Sequence, residues 1–413
     1  MKIVKCGFLI DGTGNPPLRD RAVVIQGDRI KEIYPLNEID ALARREQAEI
    51  IDAEDAYVIP GLIDSHVHLS FSGTSDPAGD LYRDSEDYLM IRQVRNAQTA
   101  LNAGITLVRD CGSKGMSILA LRDAVNDGFI MASRIFASSV PITSTGGHCH
   151  FLGGEADSKN EAVKMVRKLS RDGVDYIKVM LSGGNMTKGS NPQITQYTQH
   201  QADRLVREAH MLGKTVAAHA LNRRSIEIAV HAGIDTIEHC AFLSDDGTAD
   251  FDAEIIQTAI EKGLYISPAM NYGTLMGYVP APDEDTEDPR VQKKIAFWDE
   301  LTETRFSTTR KMVRMGAKII AGTDAGTKKT GFGDYWKALK AMNERGGMSA
   351  MQVLESATRL PAEAMGISDR FGTIEAGKKA DMVILKEDPL LDLQHLASVS
   401  KVLLGGELAV NHF

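Results

Sequence analysis

Residues 158–184 read SKNEAVKMVRKLSRDGVDYIKVMLSGG, and the two halves of this stretch follow different periods. In 158–172 apolar side chains recur at i, i+3 and i+4 spacing, which predicts a helix with one buried stripe ending at Gly173. Residues 174–181, VDYIKVML, are mostly apolar and predict a short buried strand. The same alternation runs through the centre of the chain. Strand candidates are YVIPGLIDSHVHL (57–69), GITLVRD (104–110), RIFASSVPI (134–142), TVAAHAL (215–221), IDTIEHC (234–240), LYISPAM (264–270) and AKIIAGTD (317–324). Helix-like segments such as 85–103, 198–213 and 252–263 lie between them. Eight strands alternating with helices predict an α/β fold, a (β/α)8 TIM barrel. A doubly wound sheet is the alternative, but no glycine-rich phosphate loop stands near the first of these strands.

Outward from this centre the pattern changes. Residues 2–10, 21–34 and 48–59, and again 372–389 and 398–410, are β-like and punctuated by turn residues such as Asp11-Gly12 and Gly27-Asp28. The expected organisation is a small composite β-sandwich from 1–57 and 365–413, with the barrel, 58–364, inserted between its halves. One long connection, NYGTLMGYVPAPDEDTEDPR (271–290), is acidic and proline-containing. It is either a solvated loop or a lid, since long loops in compact domains are often functional.

The totals exclude some classes. The 413 residues carry 47 basic and 56 acidic side chains, a net charge of −9, which argues against a nucleic-acid partner. Cys6, Cys111, Cys149 and Cys240 form no CxxC pair or disulfide framework, so a reducing cytoplasm is expected. No apolar run is long enough to span a bilayer, and no signal-peptide core is evident at the N-terminus.

Lys178 is the anomaly in this pattern, because a bare ammonium in an apolar strand is expensive to bury. Its company suggests a reason. In such a barrel, chemistry sits at the C-terminal ends of the strands. There the sequence places His66 and His68, then Lys178, His219, His239 and Asp324. Residues i and i+2 on a strand share a face, so Asp64, His66 and His68 are expected to look one way. An HxH pair suits a metal only on extended backbone.

The motifs VIPGLIDSHVH, YIKVMLSGG, AAHALN, TIEHC and AGTDAG resemble the metal-site motifs of the amidohydrolase superfamily over nearly the whole chain. STGGHCH resembles the branch of Xaa-Pro and Xaa-Arg dipeptidases, with imidazolonepropionases more distant. The resemblance implies a binuclear zinc site and a CO2-derived carbamate on Lys178 bridging two Zn2+. One metal would be held by His66, His68 and Asp324, and the other by His219 and His239. It further implies that a metal-bridging hydroxide attacks an amide-type carbonyl and that Asp324 carries the proton to the leaving amine. His148 would bind the substrate oxygen, with His150 its competitor. The substrate would be a small molecule, and the family commonly forms homo-oligomers. Burial favours the neutral lysine amine that CO2 requires.

Two other functions are weighed. Mononuclear deaminases of the superfamily usually carry a glutamate three residues after the strand-five histidine, where this chain has Asn222. A non-catalytic scaffold would have lost metal ligands, and none of the ligand types is missing. Many dipeptidases of the branch carry a tyrosine where Leu221 stands. Arg223 and Arg224 are alternative carboxylate binders, and Leu221 could instead face a more apolar amide, an N-acyl amino acid or a carbamate. Cys149 and Cys240 are expected to pack. Met186, Tyr272 and Trp336 are candidates for lining an apolar pocket.

Overall fold

A computed structural model describes residues 1–244, 248–270 and 286–412. Most of the expected lid, residues 271–285, and Tyr272 lie outside the described residues.

Seven strands from the two chain ends form one sheet. They are β1 (Lys2–Leu9), β2 (Leu18–Gln26), β3 (Arg29–Pro35), β4 (Glu49–Pro60) and, far downstream, β13 (Met382–Leu385), β14 (Val399–Leu404) and β15 (Glu407–Asn411). Their order is β15-β14-β13-β4-β1-β2-β3, so β4 joins the early strands to the late ones. Val4, Val23, Ile30, Val58, Met382 and Leu403 share one apolar cluster, which brings strands from opposite ends of that order together. On the other face Ile3, Ala22 and Val24 pack on Ile39 of the helix Ile39–Arg45.

The intervening strands are parallel. One arc is β5 (Leu62–Val67), β6 (Ile105–Asp110) and β7 (Arg134–Ala137). The other is β8 (Ile177–Met180), β9 (Val216–Ala220), β10 (Thr236–His239), β11 (Tyr265–Ser267) and β12 (Lys318–Ile319). Backbone hydrogen bonds cross both seams. Ile142 N donates to Lys178 O and Met180 N to Ile142 O, each at 2.8 Å. At the opposite seam Asp324 N donates to His66 O at 2.7 Å and His68 N to Ala325 O at 2.8 Å.

The helices follow the expected stripe. In Lys159–Arg171 the buried residues are Ala162, Val166 and Leu169, and Ser158 with Glu161 closes a capping box at its start. Caps of this kind each contribute about 1 kcal/mol. Two features depart from the sequence reading. YVIPGLIDSHVHL is two strands in two sheets, β4 and β5, divided at Gly61. A Cβ at Gly61 would stand 2.0 Å from Thr106 Oγ1, so only glycine lets the chain cross there. The 26-residue helix Pro289–Arg314 is also unanticipated; its start is set by the Asp288 cap and a proline in its first turn. Among the described residues no helix is long and apolar enough to cross a membrane.

Candidate metal centre

Five histidine rings stand in an unbroken row, four at or just beyond the C-terminal ends of strands and His148 on the turn that follows β7. His68 and His66 are 5.4 Å apart between ring centres, His66 and His239 5.2 Å, His239 and His219 4.6 Å, and His219 and His148 4.6 Å. Asp324 closes one end: its Oδ1 lies 3.3 Å from His68 Nε2 and 3.6 Å from His66 Nε2. Lys178 lies two residue pairs deeper than His219, because Met180 pairs with His219 and Lys178 with Ala217.

Hydrogen bonds decide which nitrogen of each ring is available. His68 Nδ1 is 2.9 Å from Gly112 O, and a carbonyl can only accept, so that nitrogen carries the proton. His66 Nδ1 is 2.7 Å from Glu238 Oε2, again an acceptor. Both rings therefore turn an Nε2 lone pair toward a carboxylate oxygen. Three electron-rich atoms converging in a buried site repel one another unless a cation lies between them, and His66, His68 and Asp324 can share one. His219 is tied the other way, with Nε2 donating to Gly183 O at 3.0 Å, which leaves Nδ1 as its free donor atom. Burial, reinforced by neighbouring imidazoles and Lys178, holds His66, His219 and His239 well below the ordinary histidine pKa. They are neutral, as metal ligands must be. The Lys178 side chain is 1% exposed, and its Nζ has no hydrogen-bond partner among the described residues. An orphaned buried amine is costly unless a further group takes it up. These residues fit a metal centre.

The backbone is bent to bring them there. His239 and Asp324 have φ of +67° and +59°, in the left-handed region that non-glycine residues avoid. Consecutive strand residues face opposite sides, yet Glu238 and His239 both reach the centre because the chain leaves extended geometry at His239.

Other expected residues fall into place unequally. His148 is buried, which pushes its imidazole down to about 3. Thr187 Oγ1 lies 3.2 Å from its Nδ1, and Gly184 faces it so closely that a Cβ would stand 2.5 Å from the ring. His150 stands on the short turn His150–Leu152, half-buried and edge-on to Phe151, outside the row of rings. Asp64 shares the strand period of His66 and His68. Its carboxylate does not join the rings but accepts from Thr323 N at 3.0 Å, Thr323 Oγ1 at 2.5 Å and His66 N at 3.2 Å. Burial lifts Asp64 to about 7. It fastens the His66 strand to the turn that carries Asp324.

Arg223 is exposed and pairs with Asp252, Nε to Oδ2 at 3.1 Å, rather than turning to the rings. Arg224 pairs with Glu227 at 2.7 Å. Leu221 is half-buried, its N donating to Ser182 Oγ at 3.1 Å. Asn222 caps the helix Arg223–Ala232, accepting from Ser225 N at 2.8 Å while its amide donates to Pro192 O at 2.8 Å. A carboxamide does not ionise and cannot shuttle a proton as a glutamate would, which weighs against the deaminase alternative. Met186 packs against the cluster of Phe71, Cys149 and Leu152, Trp336 packs against the main core, and Cys240 is part of that core.

Sequence reasoning missed Glu238 and Arg109. Glu238 Oε1 pairs with Arg109 Nη2, and Arg109 reaches from β6 across the interior to β10, donating also to Ser65 O at 2.6 Å and Thr236 Oγ1 at 3.2 Å. Burial works against the guanidinium's charge, but Glu238 outweighs it and raises the Arg109 pKa. The available signal was one basic and one acidic residue inside otherwise apolar strands, TLVRD and TIEHC. His66, Cys111 and Glu238 also lie close enough to hold an ion. That grouping is a poor cation site, because Arg109 already occupies Glu238 and burial lifts the Cys111 thiol to about 11.

The chain belongs to the amidohydrolase family, whose profile matches residues 57–409. It is similar to an ochratoxinase of Aspergillus niger, 26% identical over 98% of this chain and 86% of that one. It also resembles an imidazolonepropionase of Mesorhizobium japonicum, 24% identical over 82% and 79%. Among solved structures it resembles a Xaa-Pro dipeptidase with methionine bound in its active site, with TM-score 0.84, 31% identity, and 98% and 99% of the two chains covered. The α/β fold is that of amidohydrolases of the prolidase-like branch. The protein is a metal-dependent hydrolase acting on amide-type C–N bonds.

Proposed function

We propose that the protein is a binuclear zinc amidohydrolase that cleaves a dipeptide, an N-acyl amino acid or a related amide or carbamate. The observation that carries this reading is the convergence of His66 Nε2, His68 Nε2 and Asp324 Oδ1 beside the unpartnered Lys178 amine. In this reading His66, His68 and Asp324 would hold one zinc, and His219 and His239 would hold the other. Lys178, whose Nζ would bond to the carbon of CO2 and lose a proton, would add an anionic carbamate to that ligand set. The metals supply Lewis acidity and lower the pKa of bound water toward neutrality.

The chain's own residues do the rest. The Asp324 carboxylate receives a proton at the reaction centre and passes it to the leaving nitrogen. His148 meets the substrate oxygen, held in place by Thr187 and by the space over Gly184. Leu221, at the mouth of β9, suits an apolar substrate portion; His150 and Arg223 stand further out. This chemistry sits on a (β/α)8 barrel, residues 58–364, set into a β-sandwich of 1–57 and 365–413. Hydrogen bonds across both seams and the shared apolar cluster of early and late strands support that division.

The test is metal analysis together with a hydrolysis screen of dipeptides, N-acyl amino acids and carbamates, using enzyme supplied with zinc and bicarbonate. Two zinc ions per chain and release of a free amine are expected. A metal-free chain under those conditions overturns the reading. Ammonia released from aminated heterocycles instead redirects it to deamination.

A further inference from the structure

The buried Arg109–Glu238 pair touches no expected substrate position, yet it is built with care. Both side chains are almost wholly enclosed, at 3% and 0% exposure. Removing two charges from water is expensive, and an apolar pair of similar volume would serve packing at least as well. Each contact of the pair points the same way. One oxygen of Glu238 takes the Arg109 guanidinium and the other takes His66 Nδ1. Arg109 also holds Ser65 O, on the residue just before His66, and the hydroxyl of Thr236, two residues before Glu238. Both ends of the Glu238–His66 bond are thus fixed by one guanidinium. The Arg109 face lies over Tyr176, whose hydroxyl donates to Asp110 O at 2.8 Å, so the guanidinium plane is fixed as well.

We propose that the Arg109–Glu238 pair is a positioning device for His66: it keeps the ring proton on Nδ1 and so presents Nε2 as a metal-binding lone pair. An ionised carboxylate only accepts hydrogen bonds. Arg109 donates to one Glu238 oxygen, so the carboxylate offers its other oxygen to His66 as an acceptor and the proton of the shared bond belongs to His66. Lose that acceptor and the ring is free to place its proton on Nε2, facing Asp324, where it cannot bind a cation. Outer partners of this kind typically change metal affinity by about 10- to 100-fold. The device serves one metal only, since His219 has its own anchor at Gly183 O. The inference rests on the metal-centre reading above.

The test replaces both charges together, because either alone leaves its buried partner unpaired. Arg109→Met with Glu238→Leu removes the acceptor; Arg109→Met with Glu238→Gln restores a neutral acceptor at nearly the same volume. Zinc affinity of the metal-free proteins is measured by competition with a chromophoric chelator, without reference to activity. The Leu chain is expected to lose about 10- to 100-fold at one of two sites, and the Gln chain to recover much of it. Wild-type affinity in both chains, or equal loss in both, overturns the proposal. Independently of how the variants fold, imidazole 15N shifts of the metal-free wild type should show His66 protonated on Nδ1; an Nε2 proton overturns it. If the wild type binds no zinc, this inference and the metal-centre reading both fail. A two-zinc wild type with unaltered variants sinks the inference alone.

Discussion

The two sides of the strand-tip cluster differ in how firmly they are held. On the side of His66, His68 and Asp324, each ring has its far nitrogen fixed by an acceptor, and Asp64 fastens the backbone of His66 to that of Thr323, next to Asp324. On the side of Lys178, His219 and His239, His219 is anchored to Gly183 O, His239 rests on ring contacts, and the Lys178 amine is unpartnered among the described residues. The first side is preorganised by the polypeptide alone. In the proposed reading, a carbamate on Lys178 would complete the second. A site with one rigid and one adaptable side can assemble in order, with the rigid side filling without help from the other.

The comparison can be broken most forcefully at Lys178. Lys178→Ala should remove zinc from the adaptable side and abolish turnover while the His66 side retains some metal; two zincs and full activity in that variant would erase the distinction. Asp324→Asn should fold, yet lose about 10²- to 10⁴-fold in kcat in steady-state amide hydrolysis, as expected for a lost proton carrier. Gly184→Ala places a methyl group about 2.5 Å from the His148 ring. Displacing that ring should lower kcat/KM by about 10²-fold with zinc content unchanged; an unaffected enzyme would show that His148 does not meet the substrate. Arg223→Ala sets the smallest effect. Its guanidinium is exposed and engaged with Asp252, so KM and melting temperature should both stay put. A raised KM at constant kcat would bring Arg223 back to the substrate.

The difference between the sides also explains what could be read in advance. Metal-type ligands at strand tips are legible because a few residues carry each motif and the strand period fixes their face. His66, His68, His219, His239 and Asp324 gather as that logic expects. Asp64 obeys the same period and still fails to join, because its short side chain finds backbone and hydroxyl donors first. Glu238 and Arg109 were hidden for a different reason. Alternation sends Glu238 away from His239, and the left-handed φ of +67° that reconciles them has no signature in residue identity. In the fold, alternating strands and helices were legible, whereas the division of residues 57–69 at Gly61 was not. Apolar periodicity carries straight through that glycine, and the contact that requires it comes from Thr106, 45 positions later.

The central place of β4 has a consequence for how the protein comes into being. During synthesis β4 emerges early and finds β1 at once, but the partner for its other edge, β13, follows more than 300 residues later. Until then a nascent molecule carries a bare strand edge able to recruit neighbouring chains. Ribosome-bound or truncated forms ending before Met382 should therefore be the aggregation-prone species, held in solution by chaperones rather than by their own packing.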